Sequence, residues 1–308
     1  MALTANDGIV YNSRSPQITE VRMNSIEHLL QRAEHLITRL ETLLPAPLTE
    51  PNWQVTAWRW VKQGVQGQLQ AVEHPHHVLL EDIRFIDRQK SEVVRNTRQF
   101  LQGLPANHVL LTGARGTGKS SLVKALLNAY ADIGLRLIEV DKQDLTDLPQ
   151  ITHLIRNRPE KFIIFCDDLT FEANDTGYKA LKVILDGSIE NASPNVLVYA
   201  TSNRKNLMPE YMADNQPVLE KSGEIRPNDT IDEKTSLAER FGLWLSFYSF
   251  DQDEYLNIAE HWLQSFGVSM DDTARHAALQ FYHTRGARSG RVAFQFAKDY
   301  AGKLQLKS

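Results

Sequence analysis

Cysteine is almost absent from this sequence, since Cys166 is the only one among 308 residues. A single thiol forms no intramolecular disulfide and supplies no thiolate zinc cluster. We therefore expect a reducing, cytoplasmic setting. Cys166 ends an apolar run, and we interpret it as a buried packing residue and not as a reactive thiol.

Long apolar runs and a strong net charge are also missing. No stretch of about eighteen uncharged apolar residues occurs, and the sequence does not start with a basic stretch followed by an apolar segment. We expect a soluble protein without a membrane partner. The formal net charge of −4 removes the overall signature of a dedicated nucleic-acid binder, although a local basic patch stays open.

The chain divides into three predicted parts. Residues 1–77, with an amphipathic pattern from Ile26 to about Leu44 and then several prolines, form an N-terminal helical accessory domain. Residues 78–250 alternate apolar runs with helical patterns, which predicts an α/β core of parallel strands, interrupted by a polar insertion at about 204–235. Residues 251–308 have helical periodicity only and form a helical lid. The predicted strands are His108–Thr112, Leu135–Val140, Phe162–Cys166, Val196–Ala200 and Leu243–Tyr248.

Two features of the first part invite ligand assignments that we do not make. Trp53, Trp58 and Trp60 are interpreted as a small packed face. The tract from Glu73 to His77 is interpreted as a linker because Pro75 breaks helical presentation of its histidines.

A glycine-rich loop follows the first predicted strand and precedes a helical pattern. Its glycines let backbone N–H groups turn toward phosphates, and the helix that starts there adds its positive end. Lys119 is expected to reach the β- and γ-phosphates of ATP, and Ser120 to ligate Mg²⁺. A glycine-rich turn with an incidental lysine is the alternative. The expected phosphate-binding residues are Gly113, Ala114, Arg115, Gly116, Thr117, Gly118, Lys119, Ser120 and Ser121.

Two carboxylates follow the third predicted strand. Asp167 and Asp168 lie at the carboxyl edge of the sheet, beside the loop, where Mg²⁺ needs an oxygen ligand and the attacking water needs a base. Asp167 is suited to bind the metal, and Asp168 is suited to orient the attacking water. Glu172 is the reserve candidate for orienting the water. The alternative, that both acids only cap the next helix, is disfavoured by the loop.

The order of these parts resembles the AAA+ superfamily over about residues 80–305. The resemblance implies Walker A at 113–120, Walker B at 162–168 and strand order 5-1-4-3-2. It also implies sensor 1 at Asn203, an arginine finger at Arg240, and sensor 2 at Arg288, which would contact nucleotide and act in catalysis. Ile83 and Ile86 would lie near adenine, with ordinary core packing as the alternative. Asp168 departs from the glutamate that most AAA+ members carry.

Three longer runs look like an uncharacterised bacterial AAA+ ATP-binding family, known only as a domain of unknown function. They are residues 114–127, 165–169 and 240–247. The resemblance implies an ATPase that remodels or loads an unidentified protein or nucleic-acid cargo as a homo-oligomeric ring, for which a hexamer is one form. The alternatives are a nucleotide-controlled binding module similar to helicase loaders, and a small-molecule P-loop kinase. For Arg240 the alternative is an ion pair with Glu239 or with an acid of the insertion.

Overall fold

A computed structural model of the chain describes residues 29–37, 39, 50–64, 66–171, 175–186, 193–204, 218–219, 225–226 and 237–306. The chain forms two compact units, Met1–Thr49 and Glu50–Ser308. In the first unit, residues 29–37 are helical, in agreement with the amphipathic pattern predicted there. The remainder of that predicted helix lies outside the described residues.

The second unit is built on a mostly parallel sheet. Across the described part of the chain this sheet has seven strands, in the order β2-β1-β4-β5-β6-β3-β9. β1 and β2 pair antiparallel, and the other neighbours pair parallel. The strands are β1 (Ala57–Gln63), β2 (Gln66–Ala71), β3 (Val109–Gly113), β4 (Leu135–Glu139), β5 (Lys161–Cys166), β6 (Val196–Ser202) and β9 (Leu243–Phe247).

The five predicted strands correspond to β3, β4, β5, β6 and β9. Their relative order in the sheet, β9-β3-β6-β5-β4, is the expected 5-1-4-3-2. The sheet is nevertheless larger than predicted, because β1 and β2 extend it beyond β4. The predicted α/β class is confirmed, while the strand count and the full order differ from the expectation.

The two additional strands correct the prediction that residues 1–77 form a helical accessory domain. β1 pairs parallel with β4, with Trp58 opposite Ile138, so this segment belongs to the core sheet. Trp58 and Trp60 are each 1% exposed, whereas Arg59 between them is exposed and Val61 is half-buried, so both tryptophans lie on one buried face of the strand. The rings of Trp53 and Trp58 lie 5.4 Å apart, which confirms the packed-face interpretation.

Helices cover both faces of the sheet. In β5, Ile163 and Phe165 face one buried cluster, whereas Phe162 and Ile164 face the other. Because both faces are buried, the strand reads as a continuous apolar run. The helices of the core are α1 (Asp87–Leu101) and α2 (Lys119–Tyr130) on the first face, and α3 (Leu148–Ile155) and α4 (Thr176–Asp186) on the second, with 3-10 turns at Leu80–Asp82, Ala131–Ile133 and Lys142–Asp147.

Three helices follow the last strand, in the range where the lid is predicted, and we call them the lid. The side chains of Asp251, Asp271 and Ser289 each accept a backbone N–H bond and so cap the three helices. Lid residues such as Tyr255 and Phe296 share one buried cluster with a face of the sheet. The lid helices are α5 (Gln252–Ser265), α6 (Asp272–Arg285) and α7 (Gly290–Gln305).

Most of the predicted polar insertion lies outside the described residues. Within it, β7 (Val218–Leu219) and β8 (Ile225–Arg226) form a short antiparallel pair. Over the described ranges, no helix has the length and apolar character needed to cross a membrane.

Candidate functional site

A cavity of about 770 Å³ opens at the carboxyl edge of the sheet. Its walls come from the loop 115–121, from the ends of β5 and β6, from segment 76–84 before α1, and from the lid. This volume falls within the range of small-molecule and cofactor sites. The fold therefore brings the predicted loop, Asp167, Asp168 and Asn203 into one cavity.

The glycines of the loop have a steric purpose. Gly113 ends β3 with φ 126°, and a Cβ there would lie 1.9 Å from the carbonyl oxygen of Phe247. Gly118 has φ 95° and is the N-cap residue of α2. The Thr117 hydroxyl donates to the carbonyl oxygen of Ala114 at 2.8 Å. The loop thus makes a tight turn that ends at the positive end of α2, which favours anions.

Lys119 places a buried ammonium group inside the loop. Its Nζ donates to the carbonyl oxygens of Gly113 and Ala114, both at 2.7 Å, and to Asn203 Oδ1 at 3.2 Å. Burial lowers the pKa of Lys119, and the nearby charges of Asp167 and Asp168 oppose that effect. An anion entering the cavity would compete with these acceptors for the ammonium group.

Ser120 and Asp167, the two residues predicted to bind the metal, are in contact with each other. The Ser120 hydroxyl donates to Asp167 Oδ1 at 2.6 Å, so both oxygens lie at one point beside Lys119. Among the described residues, no group of three or more His, Cys, Asp or Glu side chains is arranged to hold a metal ion unaided. Mg²⁺ does not require such a group of side chains, because it keeps several waters and takes one or two protein oxygens together with phosphate oxygens. The pair fits Mg²⁺ bound with a nucleotide.

Asp168 has an unusual backbone conformation. Its φ of 51° lies in the left-handed region, which is uncommon for residues other than glycine. The Asn203 amide donates to Asp168 Oδ1 at 2.5 Å, and the Arg115 guanidinium lies 3.8 Å from Oδ2. The carboxylate is 52% exposed, so a water molecule can reach it. The reserve candidate Glu172 lies outside the described residues.

The lid contacts the loop directly. The backbone N–H of Gly290, the first residue of α7, donates to the carbonyl oxygen of Gly116 at 2.9 Å. A Cβ at Gly116 would lie 2.7 Å from the Cβ of Ser289, so this approach needs glycine. Arg291 follows in the first turn of α7 and lines the cavity.

Arg288 does not occupy the position expected for sensor 2. It precedes the helix cap and is exposed, and its guanidinium lies 5.8 Å from the centre of the Tyr282 ring. It is not part of the cavity lining, whereas Arg291 is. The sequence motif contained both arginines, and the position of the cap Ser289 decides which of them faces the loop.

The apolar end of the cavity includes residues that the sequence did not single out. Trp262 and Phe294, from α5 and α7, line it and pack edge to face at 4.9 Å. Ile83 also lines the cavity. Ile86 is 3% exposed and lies 3.7 Å from the place of a Cβ on Gly118, so it supports the loop from the core side.

Segment 76–84 also reaches this cavity. His76 and His77, interpreted from the sequence as part of a linker, line it. Asp82 lines it as well, and its Oδ1 lies 3.0 Å from His261 Nε2 on α5. Segment 76–84 therefore joins the cavity wall to the lid. The sequence gives one indication of the cavity wall on the lid side. Ile258 and Trp262, which line the cavity, are four residues apart on α5 and therefore share one face of that helix.

Arg240 lies away from the cavity lining. Its Nε is 2.5 Å from Asp186 Oδ1, at the end of α4. The hydrogen bond to Asp186 raises the pKa of Arg240. Arg240 therefore takes part in an ion pair within the chain, with Asp186, an acid that the sequence interpretation did not name. Cys166 is buried, and burial raises the pKa of its thiol to about 12, in line with a packing role.

The described core combines a mostly parallel sheet, a glycine-rich loop between β3 and α2, two acids and an asparagine after neighbouring strands, and a C-terminal group of helices. This is the arrangement that the sequence resemblance implied. The chain belongs to the family described as "Protein of unknown function (DUF815)", which matches residues 53–304. A search of curated proteins gives no match.

Similar solved structures were also found. The Thermotoga maritima RuvB Holliday junction branch migration motor is 18% identical, with a TM-score of 0.45, and the match covers 73% of this chain and 64% of that one. The FIGL-1 AAA domain in complex with ADP is 15% identical, with a TM-score of 0.49 and 74% coverage of each chain. A DNA replication initiation factor is 17% identical, with a TM-score of 0.42 and coverage of 74% and 63%. The chain thus spans less than two thirds of the RuvB length.

Proposed function

We propose that this protein binds MgATP at the loop 113–120 and hydrolyses it to move the lid against the core, so that a protein or nucleic-acid partner is remodelled or loaded. The observation that carries the proposal is the contact of Ser120 with Asp167 at 2.6 Å, directly beside the buried ammonium group of Lys119. One cation and two hard oxygens at the end of a glycine loop suit a metal-bound triphosphate.

Each group of the site has a defined task in this proposal. Bound MgATP supplies the γ-phosphoryl group and the metal. The ammonium of Lys119 exchanges its carbonyl partners for phosphate oxygens, while Ser120 and Asp167 provide oxygens to the metal. Asp168 orients the attacking water and accepts its proton, and the Asn203 amide holds that carboxylate in place.

The lid contributes the remaining contacts to the nucleotide. Arg291 is the arginine that we expect to approach the phosphates, since it follows the Gly290 contact to the loop. Trp262 and Phe294 provide the apolar surface for the base, together with Ile83, whose Cγ2 lies 3.4 Å from the place of a Cβ on the loop residue Gly118. Loss of the γ-phosphate would weaken the Arg291 contact and so change the position of the lid.

A homo-oligomeric ring is part of the proposal. Arg240 would stabilise the transferring phosphoryl group of a neighbouring subunit, for which it must leave Asp186. Such a contact is head-to-tail, so it generates a closed ring, with a hexamer as one form, or a filament.

One observation favours a slower version of the same function. The Asp168 carboxylate is one methylene shorter than glutamate, and it is tied to Asn203 at 2.5 Å. Both features oppose fast activation of water. The second candidate is therefore a nucleotide-controlled binding module, in which rare hydrolysis times the release of a partner.

Steady-state hydrolysis and nucleotide affinity, measured on the same variants, test the proposal. Asp168→Asn should bind a fluorescent ATP analogue within about twofold of wild type while kcat falls by about 100-fold or more, as for loss of a general base. Wild-type kcat in Asp168→Asn would show that another group activates the water. A wild type that turns over slowly, yet releases a co-purified partner with each hydrolysis, would select the second candidate.

A further inference from the structure

We propose that Thr201 is a positioning residue that clamps the turn 167–169 and thereby sets both the metal-binding and the water-orienting carboxylate. This inference deepens the proposed function, because the two carboxylates have these tasks only if MgATP is the ligand. Nothing in the sequence patterns pointed to Thr201 beyond its place in the polar end of β6.

The hydroxyl of Thr201 forms two hydrogen bonds, both with the turn 167–169. It donates its single proton to Asp167 Oδ1 at 2.5 Å, and it accepts the backbone N–H of Asp168 at 3.0 Å. These directions are fixed, because a carboxylate only accepts and an N–H only donates. Thr201 is 2% exposed, so water does not replace either bond.

The backbone of Thr201 completes the clamp. Its carbonyl oxygen accepts the N–H of Leu169 at 2.7 Å. One residue of β6 thus binds three consecutive residues that follow β5. Two strands that pair in parallel register, with Cys166 opposite Ala200, place these groups side by side.

The clamp explains how Asp168 keeps its left-handed backbone. A φ of 51° is disfavoured for aspartate, and it persists only where the surroundings fix it. Thr201 fixes the N–H of Asp168, and Asn203, two residues further on, binds its side chain. The end of β6 and the residue that directly follows it therefore control both the backbone and the carboxylate of Asp168.

The clamp also orients the metal-binding carboxylate. Asp167 Oδ1 accepts both the Thr201 and the Ser120 hydroxyls, which fixes the rotation of the carboxyl group. Groups that orient a metal ligand in this way typically change metal affinity or activity by about 10- to 100-fold when removed. Loss of the Thr201 hydroxyl should therefore act on the metal and on turnover more than on the nucleotide.

The test compares Thr201→Val, which removes the hydroxyl, with Thr201→Ser, which keeps it. The matched control is Thr97→Val, because the Thr97 hydroxyl is equally buried and bonds to Val93 O and Tyr199 Oη, both at 2.8 Å, away from the cavity. Three quantities are measured: affinity for a fluorescent ATP analogue in EDTA, affinity of the protein–nucleotide complex for Mn²⁺ by electron paramagnetic resonance, and kcat against Mg²⁺ concentration.

For Thr201→Val we expect nucleotide affinity in EDTA within about twofold of wild type, with Mn²⁺ affinity and kcat each lower by about 10- to 100-fold. Thr201→Ser should return both to within about threefold, and Thr97→Val should leave both unchanged. A merely structural hydroxyl would give equal losses in Thr201→Val and Thr97→Val, or no rescue by serine, and either result overturns the proposal.

Hydrogen exchange of nucleotide-free protein separates this inference from the proposed function. Amides of residues 166–171 should exchange at least about tenfold faster in Thr201→Val than in wild type. Unchanged exchange there would overturn the clamp even if ATP is hydrolysed. If the folded wild type does not bind ATP while the amides exchange faster in Thr201→Val, the clamp exists but the proposed function is wrong. The task that we assign to the clamp would then be wrong as well.

Discussion

Replacing Asp186 by asparagine distinguishes two roles of Arg240: an ion pair within the chain and an arginine that acts on a neighbouring subunit. In the structure Arg240 Nε lies 2.5 Å from Asp186 Oδ1, and the two side chains are 22% and 43% exposed. Asp186→Asn keeps the shape of the partner and removes its charge. Arg240→Ala removes the guanidinium for both roles.

The expected magnitudes of the two substitutions differ by orders of magnitude. A partly exposed ion pair of this kind contributes about 0–1 kcal/mol. Releasing Arg240 from it would therefore raise kcat by no more than about fivefold, since about 1.4 kcal/mol corresponds to a factor of ten. An arginine that stabilises a transferring phosphoryl group contributes about 10³–10⁵ in kcat. Arg240→Ala should then lower kcat by about 1,000-fold or more while ATP affinity stays nearly normal.

The assay is steady-state ATP hydrolysis over a wide range of protein concentrations. Wild-type specific activity should rise with concentration, and mixing Arg240→Ala with Asp167→Asn should restore some activity at interfaces that combine an intact metal site with an intact arginine. Glu160→Gln is the matched control, because Glu160 pairs with Arg158 at 2.9 Å, away from the cavity. A monomeric wild type that is fully active and indifferent to dilution would refute the reasoning, as would Arg240→Ala with normal kcat.

Three further substitutions test the lid and the loop. In steady-state kinetics, Arg291→Ala should lower kcat/KM for ATP by at least about tenfold, whereas Arg288→Ala should change kcat/KM by less than about twofold. Equal effects of the two substitutions would contradict the placement of Arg291 near the phosphates. Trp262→Ala should weaken binding of a fluorescent ATP analogue by about 1–3 kcal/mol through loss of base stacking, and unchanged affinity would place the base elsewhere. Gly116→Ala should lower the melting temperature more than Gly103→Ala does. Both glycines have φ 72°, but only a Cβ at Gly116 would meet the lid, at 2.7 Å from Ser289. Equal decreases in melting temperature would contradict the lid contact.

The central strands β3, β5 and β6 could be predicted because both of their faces are buried. Phe162, Ile163 and Ile164 form a continuous apolar run for this reason, and Asp167 and Asp168 must follow at the carboxyl edge of the sheet. The loop 113–120 could be predicted because its chemistry is local: glycines, a lysine and a serine between a strand and a helix. Residues 115–120 of this loop line the cavity together with Asp167 and Asp168, whereas Gly113 and Ala114 are not part of the lining.

The hairpin of β1 and β2 was missed for a physical reason. Trp58 and Trp60 show alternation over only a few residues, and the long helical pattern before them dominated the interpretation of residues 1–77. What makes β1 a strand is its pairing with β4, about 80 residues later in the chain, as in Trp58 with Ile138. Such tertiary pairing overrides local patterns.

The contacts around the cavity that arise from lid packing could not be predicted either. Arg288 and Arg291 are three residues apart, and only the docking of Gly290 on Gly116 shows which of them faces the loop. Similarly, Asp186 could not be identified as the partner of Arg240, because the two residues are 54 positions apart in the printed sequence.

Titration calorimetry of ATP in the presence of Mg²⁺ tests the central claim most directly, namely that the loop 113–120 holds a metal-bound triphosphate. The wild type should bind one ATP per chain, and the affinity should fall in EDTA. Lys119→Ala, once circular dichroism shows that it is folded, should bind ATP at least about 100-fold more weakly, because it loses charge-assisted hydrogen bonds to two phosphates. Absence of ATP binding by the folded wild type, or undiminished affinity in folded Lys119→Ala, would contradict the claim.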